Sequence, residues 1–262
     1  MSKNKFPHIL LTNDDGIHAP GLRHLWNSLK NIAKISVIAP ESEKSGVGMC
    51  ITCREPLRIK DILWKENTPA WSVSGTPADC IKLALGEILT DLPDLIVSGI
   101  NNGSNAGRNV LYSGTVGGAI EGVFRGIPSF AVSCVDYNSP DYSIAEPYIE
   151  KLANYLLSAS PLPKGTLLNV NFPSKTHKNI KGFRLARQGK SYWMENIEKR
   201  KHPEENFYYY WLGAKLTDFD EEHEDSDISL LKKGFITAVP INIEELTDHE
   251  FLNKKKKSFI HI

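Results

Sequence analysis

Apolar positions in the first two thirds of the chain form short runs that alternate with stretches of helical spacing. Ile9 to Leu11 is a brief apolar run with polar residues on either side, the mark of a short buried strand. From Pro20 to Leu29 the apolar residues recur at helical intervals, with Pro20 where a helix start tolerates proline best. Ile35 to Ala39 predicts a second strand, and an irregular section rich in β-branched residues follows. Thr76-Pro77-Ala78-Asp79 has the form of a capped helix start, with Thr76 as N-cap and Asp79 answering it three positions on. Ile81, Ala84, Leu85 and Ile88 then mark that helix's buried face. Leu95 to Val97 predicts a strand, followed from Ser98 by a long loop of Gly, Asn and Ser. A helix over Val116 to Arg125 stops at Gly126 and leads to a strand at Phe130 to Val132. A further helix, about Ser143 to Leu157, precedes a strand at Leu167 to Val170.

Strands separated by helices predict an α/β fold: three layers, with a mostly parallel sheet covered on both faces. Ligands of such sheets sit beyond the carboxyl ends of the strands. The unusual polar segments all follow apolar strands: Asn13-Asp14-Asp15 after the first, Pro40 to Gly46 after the second, and Ser98 to Asn102 after Val97. Beyond about Gly189 the pattern changes. Trp193, Phe207, Tyr208, Tyr209, Tyr210 and Trp211 lie among charges, then come the acidic run Asp218 to Asp227 and a strand-like Phe235 to Val239. The expectation is one domain over 1–262, with a core over about 1–189 and a β-rich C-terminal arm over about 190–262. The acidic run and Lys254 to Lys257 read as solvated surface.

With 262 residues, 41% of them hydrophobic, the chain has enough apolar surface for a full core. Basic and acidic residues both number 31, so no global field draws it to a nucleic acid polymer or an anionic membrane. The apolar run near the N-terminus is too short for a signal peptide and no later stretch is long enough to span a bilayer, so a cytoplasmic location is expected. Four cysteines make no disulfide framework. Cys50 and Cys53 form a C-x-x-C, but no second close pair completes a zinc site, and Cys50-Ile51-Thr52-Cys53 reads as strand rather than the helix start a redox motif needs. Reduced structural thiols are expected.

The chemistry is concentrated in two places. Asp14 and Asp15 stand side by side at the tip of the first strand, and neighbouring carboxylates are costly to keep ionised in a confined site unless a cation offsets them. Adjacent strand residues point to opposite faces, so both acids serve one centre only if the chain bends, which Gly16 permits. The second place is Tyr112-Ser113-Gly114-Thr115-Val116-Gly117-Gly118, where a helix begins among hydroxyls and glycines. It is either a phosphate cradle or an ordinary N-cap with a small-residue packing face. A helix terminus stabilises an anion by only about 0.3–1 kcal/mol, whereas hydrolysis of a phosphate monoester calls for more than about 20 kcal/mol of catalysis. A divalent cation on Asp14 and Asp15 supplies the missing kind of chemistry, and an oxygen-rich donor set suits magnesium or manganese better than zinc.

Five ordered segments resemble the SurE (survival protein E) family: Leu11 to Gly21, Ala39-Pro40 through Ser45-Gly46, Ser74 to Cys80, Val97 through Gly107, and Tyr112 to Val116. Weaker matches at Leu168 to Pro173, Tyr210 to Gly213 and Gly234 to Pro240 extend the resemblance over nearly the whole chain. It implies a Rossmann-like core with a C-terminal arm used in homodimers or homotetramers. The implied activity is a metal-dependent phosphomonoesterase acting on nucleoside 5′- and 3′-monophosphates, with polyphosphate trimmed by some members. By the same matching, one magnesium or manganese ion per subunit would be held by Asp14, Asp15, Ser45 and Asn101, while Asn13, Asn105, Ser113, Gly114 and Thr115 would surround the phosphate.

Departures are mild: Thr12 where serine is common, Gly117-Gly118 in place of a more alanine-rich helix start, and a longer acidic insertion before the last matched strand. His18 lies near the acids but is expected to be structural, and Asp79 to be a helix cap. Two rival functions stand beside the main one. A haloacid-dehalogenase-like phosphatase would use an aspartate nucleophile with a second acid two residues on, where this chain has Gly16; a non-catalytic nucleotide-binding module would use the glycine-rich loops only to hold phosphate.

Overall fold

The computed structural model describes residues 6–158, 162–177, 179–213, 215–217, 219 and 221–261. Strands β1 (His8–Thr12), β2 (Lys34–Pro40), β3 (Ile59–Asp61), β4 (Ala70–Val73), β5 (Leu95–Asn102), β6 (Ser129–Cys134), β7 (Thr166–Phe172) and β8 (Phe183–Leu185) are followed by β9 (Trp193–Met194), β10 (Glu198–Lys201), β11 (Tyr208–Trp211), β12 (Lys215–Leu216) and β13 (Ile236–Asn242). The helices are α1 (Pro20–Leu29), α2 (Pro77–Leu83), α3 (Gly114–Phe124), α4 (Glu146–Ser158), α5 (Asp227–Lys232) and α6 (His249–Lys255).

Among the described residues the central sheet has the order β3-β4-β2-β1-β5-β6-β7-β13-β8. From β4 through β7 every neighbouring pair is parallel. Taken alone, those six strands have the doubly wound order in which the chain leaves the first strand in opposite directions, and the crevice lies where it does so, between β1 and β5. Alternation along the strands builds the two faces: Ile9 and Leu11 pack with Leu22, Leu25, Trp26 and Leu29 of α1 and Ile149 and Ala153 of α4, while Leu10, Ile38 and Ile96 pack with Cys80 and Ile81 of α2. Val116, Ala119 and Val123 of α3 cover Ala131 and Leu167 on the second face. Three layers result, as expected.

Local signals hold where the chain controls them locally. Pro20 opens α1, and Thr76 and Asp79 form a reciprocal capping box on α2. Four readings change. Ser98 to Asn102 is not loop but the continuation of β5, which slips register between Ser98 and Asn101 before pairing again with Ser133 and Cys134. The strand-like Phe235 to Val239 does not belong to an arm: β13 enters the central sheet, antiparallel to β7 and parallel to β8. Cys50 to Cys53 is irregular, not strand, because Asp79 takes the Thr52 backbone N–H and hydroxyl (3.0 and 2.7 Å) and pulls the segment onto the α2 cap. Both cysteines there are exposed and all four are free. The acidic run is not all solvated: Asp227 is fully buried, accepting from the backbone N–H groups of Gly107, Gly189 and Ile228 at 2.8–2.9 Å. Asp218 and Asp220 of that run, and residues 1–5 of the N-terminus, lie outside the described residues.

Between β8 and α5, two small antiparallel sheets stand apart from the core, β10 with β11 and β9 with β12. Tyr208, Tyr210 and Trp211 are exposed there, with the Lys199 ammonium 4.0 Å from the Tyr208 ring. Lys254 and Lys255 end α6 with exposed side chains. No helix among the described residues is long and apolar enough to cross a membrane.

Gly21 sets how closely α1 approaches the site-bearing end of β5: a Cβ there would stand 2.0 Å from the Ile100 carbonyl oxygen. That contact is with backbone and cannot swing aside. Gly21→Ala is therefore expected to destabilise the protein by about 1–3 kcal/mol, lowering the melting temperature by roughly 3–10 °C. Thermal denaturation monitored by circular dichroism measures this, and an unchanged midpoint refutes the packing argument.

Candidate active site

The chain turns sharply after β1. Asn13, fully buried, uses both ends of its side-chain amide on Gly16: Nδ2 donates to the Gly16 carbonyl at 3.1 Å and Oδ1 accepts the Gly16 N–H at 3.2 Å. Gly16 adopts φ of 102°, a value that favours glycine. This turn exposes two consecutive carboxylates to the crevice between β1 and β5. The Pro40 to Gly46 loop closes over it, with Lys44 N–H donating to the Asp14 carbonyl (2.7 Å) and Ile17 N–H to that of Pro40 (2.8 Å).

Asp14 is buried against the start of α3. The Thr115 hydroxyl donates to Asp14 Oδ1, and the Thr115 backbone also favours the carboxylate. Ser113 caps α3, accepting the Val116 N–H at 3.1 Å. Between them, Gly114 leaves room for the acid: a Cβ at that position would lie 2.9 Å from the Asp14 Cβ and 3.0 Å from Oδ2. The expected cradle at this helix start is thus already in contact with an anion of the protein itself. Asn105 extends the chain of contacts, its Nδ2 reaching Ser133 Oγ at 2.8 Å and Thr115 Oγ1 at 3.4 Å. Asp15 accepts the Asn102 backbone N–H at 3.1 Å.

Ser45 and Asn101 stand next in sequence to the two residues, Lys44 and Asn102, whose N–H groups bond the acids. Their own side chains face other partners: Ser45 Oγ donates to Glu43 Oε1 at 2.7 Å, and Asn101 Nδ2 to the Gly103 carbonyl at 2.7 Å. His18 lies elsewhere, on a small cavity with Arg23, Trp26 and Trp64.

Electrostatics sets the character of the corner. Burial raises the Asp14 pKa against the opposing hydrogen bonds from Thr115, and Glu43 adds to the rise. Burial also pushes Asp15 up to about 7, assisted by the negative charge of Asp14. Among the described residues no Lys or Arg forms an ion pair with either acid, and no three His, Cys, Asp or Glu side chains gather as a ready metal cage. The Asn102 Oδ1 atom is buried without a partner beside them. Two carboxylates short of positive charge, among hydroxyl and amide oxygens, fit a hard divalent cation whose shell these oxygens complete; they do not fit a thiol- or imidazole-seeking metal.

Several contributors escape a reading of the sequence for chemistry. On β7, Asn171 Oδ1 accepts the Asn105 N–H at 2.9 Å, and Asn169 Nδ2 donates to the Asn105 carbonyl at 2.9 Å. These two fix the loop from below. Their signal was two asparagines spaced by two on a strand, which puts both on one face. Glu43 gives no such signal, because its importance comes from folding over Asp14 and Asp15.

Residues 9–195 match the family model for survival protein SurE. The 5′-nucleotidase SurE of Protochlamydia amoebophila is 54% identical over 254 residues, which is 97% of each chain. The 5′-nucleotidase SurE of Moorella thermoacetica is 43% identical, covering 93% of this chain and 92% of the relative. The crystal structure of SurE protein from Aquifex aeolicus superposes with a TM-score of 0.82 at 35% identity, over 97% of this chain and all of that one.

The raised pKa of Asp15 fixes the sign of a pH dependence. From its ordinary value of 3.8 up to about 7, the folded protein holds a proton there that the unfolded chain has released. Stability without a cation is therefore greatest at the acid end of that window and falls as pH rises through it. In EDTA, denaturant unfolding is expected to give lower stability at pH 7.5 than at pH 5.5, and Asp15→Asn to flatten the difference while raising stability at pH 7.5. A wild-type curve that rises over this window contradicts the assignment.

Proposed function

The chain belongs to the survival protein SurE family and is a 5′-nucleotidase of that family; on that premise we propose that it is a cation-dependent phosphomonoesterase that releases phosphate from nucleoside 5′- and 3′-monophosphates, and from short polyphosphate. The observation that carries this reading is the pair of acids at the switch point, Asp14 and Asp15, both with raised pKa and neither offset by a basic side chain among the described residues. One magnesium or manganese ion per subunit is held by Asp14, Asp15, Ser45 and Asn101. When bound, such a cation polarises a phosphoryl oxygen and makes water a better nucleophile at neutral pH.

The chain's own residues do the positioning. Thr115 and the Asn102 N–H hold the two carboxylates in fixed directions, and Asn13 acts by fixing the turn that presents them. The first turn of α3 leaves backbone N–H groups without partners inside the helix, and these meet phosphate oxygens along with the side chains of Ser113 and Thr115. Gly114 keeps that approach open and Asn105 holds Thr115 from behind. Charge that develops as water displaces the nucleoside meets donors already in place. The subunit works as a homodimer or homotetramer joined through the exposed aromatic strands β10 and β11, and it is cytoplasmic, in keeping with its four free cysteines.

Purified protein is expected to release inorganic phosphate from AMP or GMP with manganese or magnesium, and EDTA to abolish the release. Asp14→Asn and Asp15→Asn should each lower turnover by at least about 100-fold, since even residues behind a metal's ligands are worth about 10–100-fold. Thr115→Ala belongs to that second range and Ser113→Ala should fall below it, because backbone donors remain. Full turnover in either Asp variant refutes the reading. Absence of phosphate release favours a binding module, and a trapped phosphoaspartate would move the protein to the aspartate-nucleophile class.

A further inference from the structure

A cleft of about 580 Å³ opens directly from Asp15, within the range of small-molecule sites. Its walls include Pro20, His24, Glu43 and Asn102 on one side and the segment from Tyr137 to Tyr142 on the other. Nothing in the phosphate chemistry uses this space. Two features suggest what it receives. Tyr137 is 65% exposed on the cleft wall, its ring lying against Gly103, where a Cβ would be 3.3 Å from Cδ2. Such a ring, held by its edge and left open on its face, is a stacking surface for a flat heterocycle. Asn102 Oδ1, a buried acceptor without a partner, lies on the same cleft and asks for a donor.

Charge narrows the occupant. Asp15, Glu43 and Asp141 all line the cleft, and among its described lining residues there is no Lys or Arg. His24 is already engaged, its Nδ1 lying 2.5 Å from Glu146 Oε1. A second phosphate entering here would meet carboxylates, whereas an uncharged group rich in hydroxyl donors would not.

Building on the function proposed above, we propose that this cleft is the nucleoside subsite: the base stacks on Tyr137 and a ribose hydroxyl donates to Asn102 Oδ1. The acidic wall then makes monophosphates the preferred nucleotides, because a longer phosphate chain has nowhere favourable to extend. Tyr137 acts in binding, not in the chemical step.

The test separates base recognition from phosphate chemistry. Adenosine, which carries no phosphate, is titrated by NMR into the wild-type chain, Tyr137→Ala, Tyr137→Phe and Asp14→Asn. Steady-state kinetics are compared for AMP and for β-glycerophosphate, which has no base. Tyr137→Ala is expected to weaken adenosine binding and to raise KM for AMP by about 5- to 150-fold, the range of base–aromatic stacking. Turnover of AMP at saturation and the kinetics of β-glycerophosphate should stay within about twofold, and Tyr137→Phe should retain wild-type behaviour. Asp14→Asn should bind adenosine normally. Adenosine that does not bind, or binds Tyr137→Ala equally well, overturns the proposal, as does an equal loss on both substrates. If the wild type hydrolyses neither phosphomonoester yet adenosine binding still depends on Tyr137, the subsite stands and the proposed catalysis fails.

Discussion

Two acids that follow one another at the end of β1 dominate the energetics of this molecule. In surroundings of intermediate polarity, two unit charges 4 Å apart repel by about 4 kcal/mol, a large share of the roughly 5–15 kcal/mol that stabilises an ordinary domain. The fold does not relieve this with lysine or arginine. It directs the Thr115 hydroxyl to Asp14 and one backbone N–H to Asp15, contacts that orient the carboxylates while leaving their charge unbalanced. The corner is therefore resolved by a proton or by a cation. The two compete for the same oxygens, which ties the protonation of Asp15 to the site's readiness for a metal.

Everything around the corner serves to bring its walls together. The acids follow β1, the Ser45 loop follows β2, and Asn101 and Asn102 end β5, so the reversal of strand order between β1 and β5 puts all of them at one crevice. Helix α3 supplies the remaining wall, and its approach is close because Gly114 carries no side chain where Asp14 must sit. From below, Asn169 and Asn171 take the donor and acceptor of Asn105, replacing the flexibility of a glycine-rich loop with a defined position. Burying those amides is tolerable because each finds a partner.

What could be read from the chain follows from the range of the interaction concerned. Pro20, the Thr76 and Asp79 pair, and Ser113 act within one helical turn, and the structure has each where local chemistry puts it. The paired acids were legible for the same reason: strand, carboxylates and Gly16 lie within a few residues. Long-range partners left no such trace. β5 looks like loop after Val97 because its last residues are polar, yet pairing with β6 carries it on to Asn102. β13 follows an aromatic, charged stretch and reads as part of it, although its hydrogen bonds go to β7 and β8. Tyr137 sits in a polar loop and gains meaning only from the cleft beside it.

Asp227 shows how the end of the chain returns to the centre. Read in sequence it closes an acidic run, and an acid in such a run is most cheaply left in water. Here burial raises its pKa, and the N–H groups of Gly107, Gly189 and Ile228 work against that rise. The bond to Gly107 spans 120 residues of chain and lies two positions from Asn105. Gln188 joins the same knot, donating to the Gly107 carbonyl. A buried carboxylate is tolerated only where donors converge on it, so this one is a sensitive reporter of whether the start of the arm, α5 and the glycine-rich loop are in register. Loss of that register would free the loop from one side while Asn169 and Asn171 still held it from the other. The Asn105 to Thr115 contact, and through it the direction of the Asp14 carboxylate, thus depends on residues drawn from both ends of the fold.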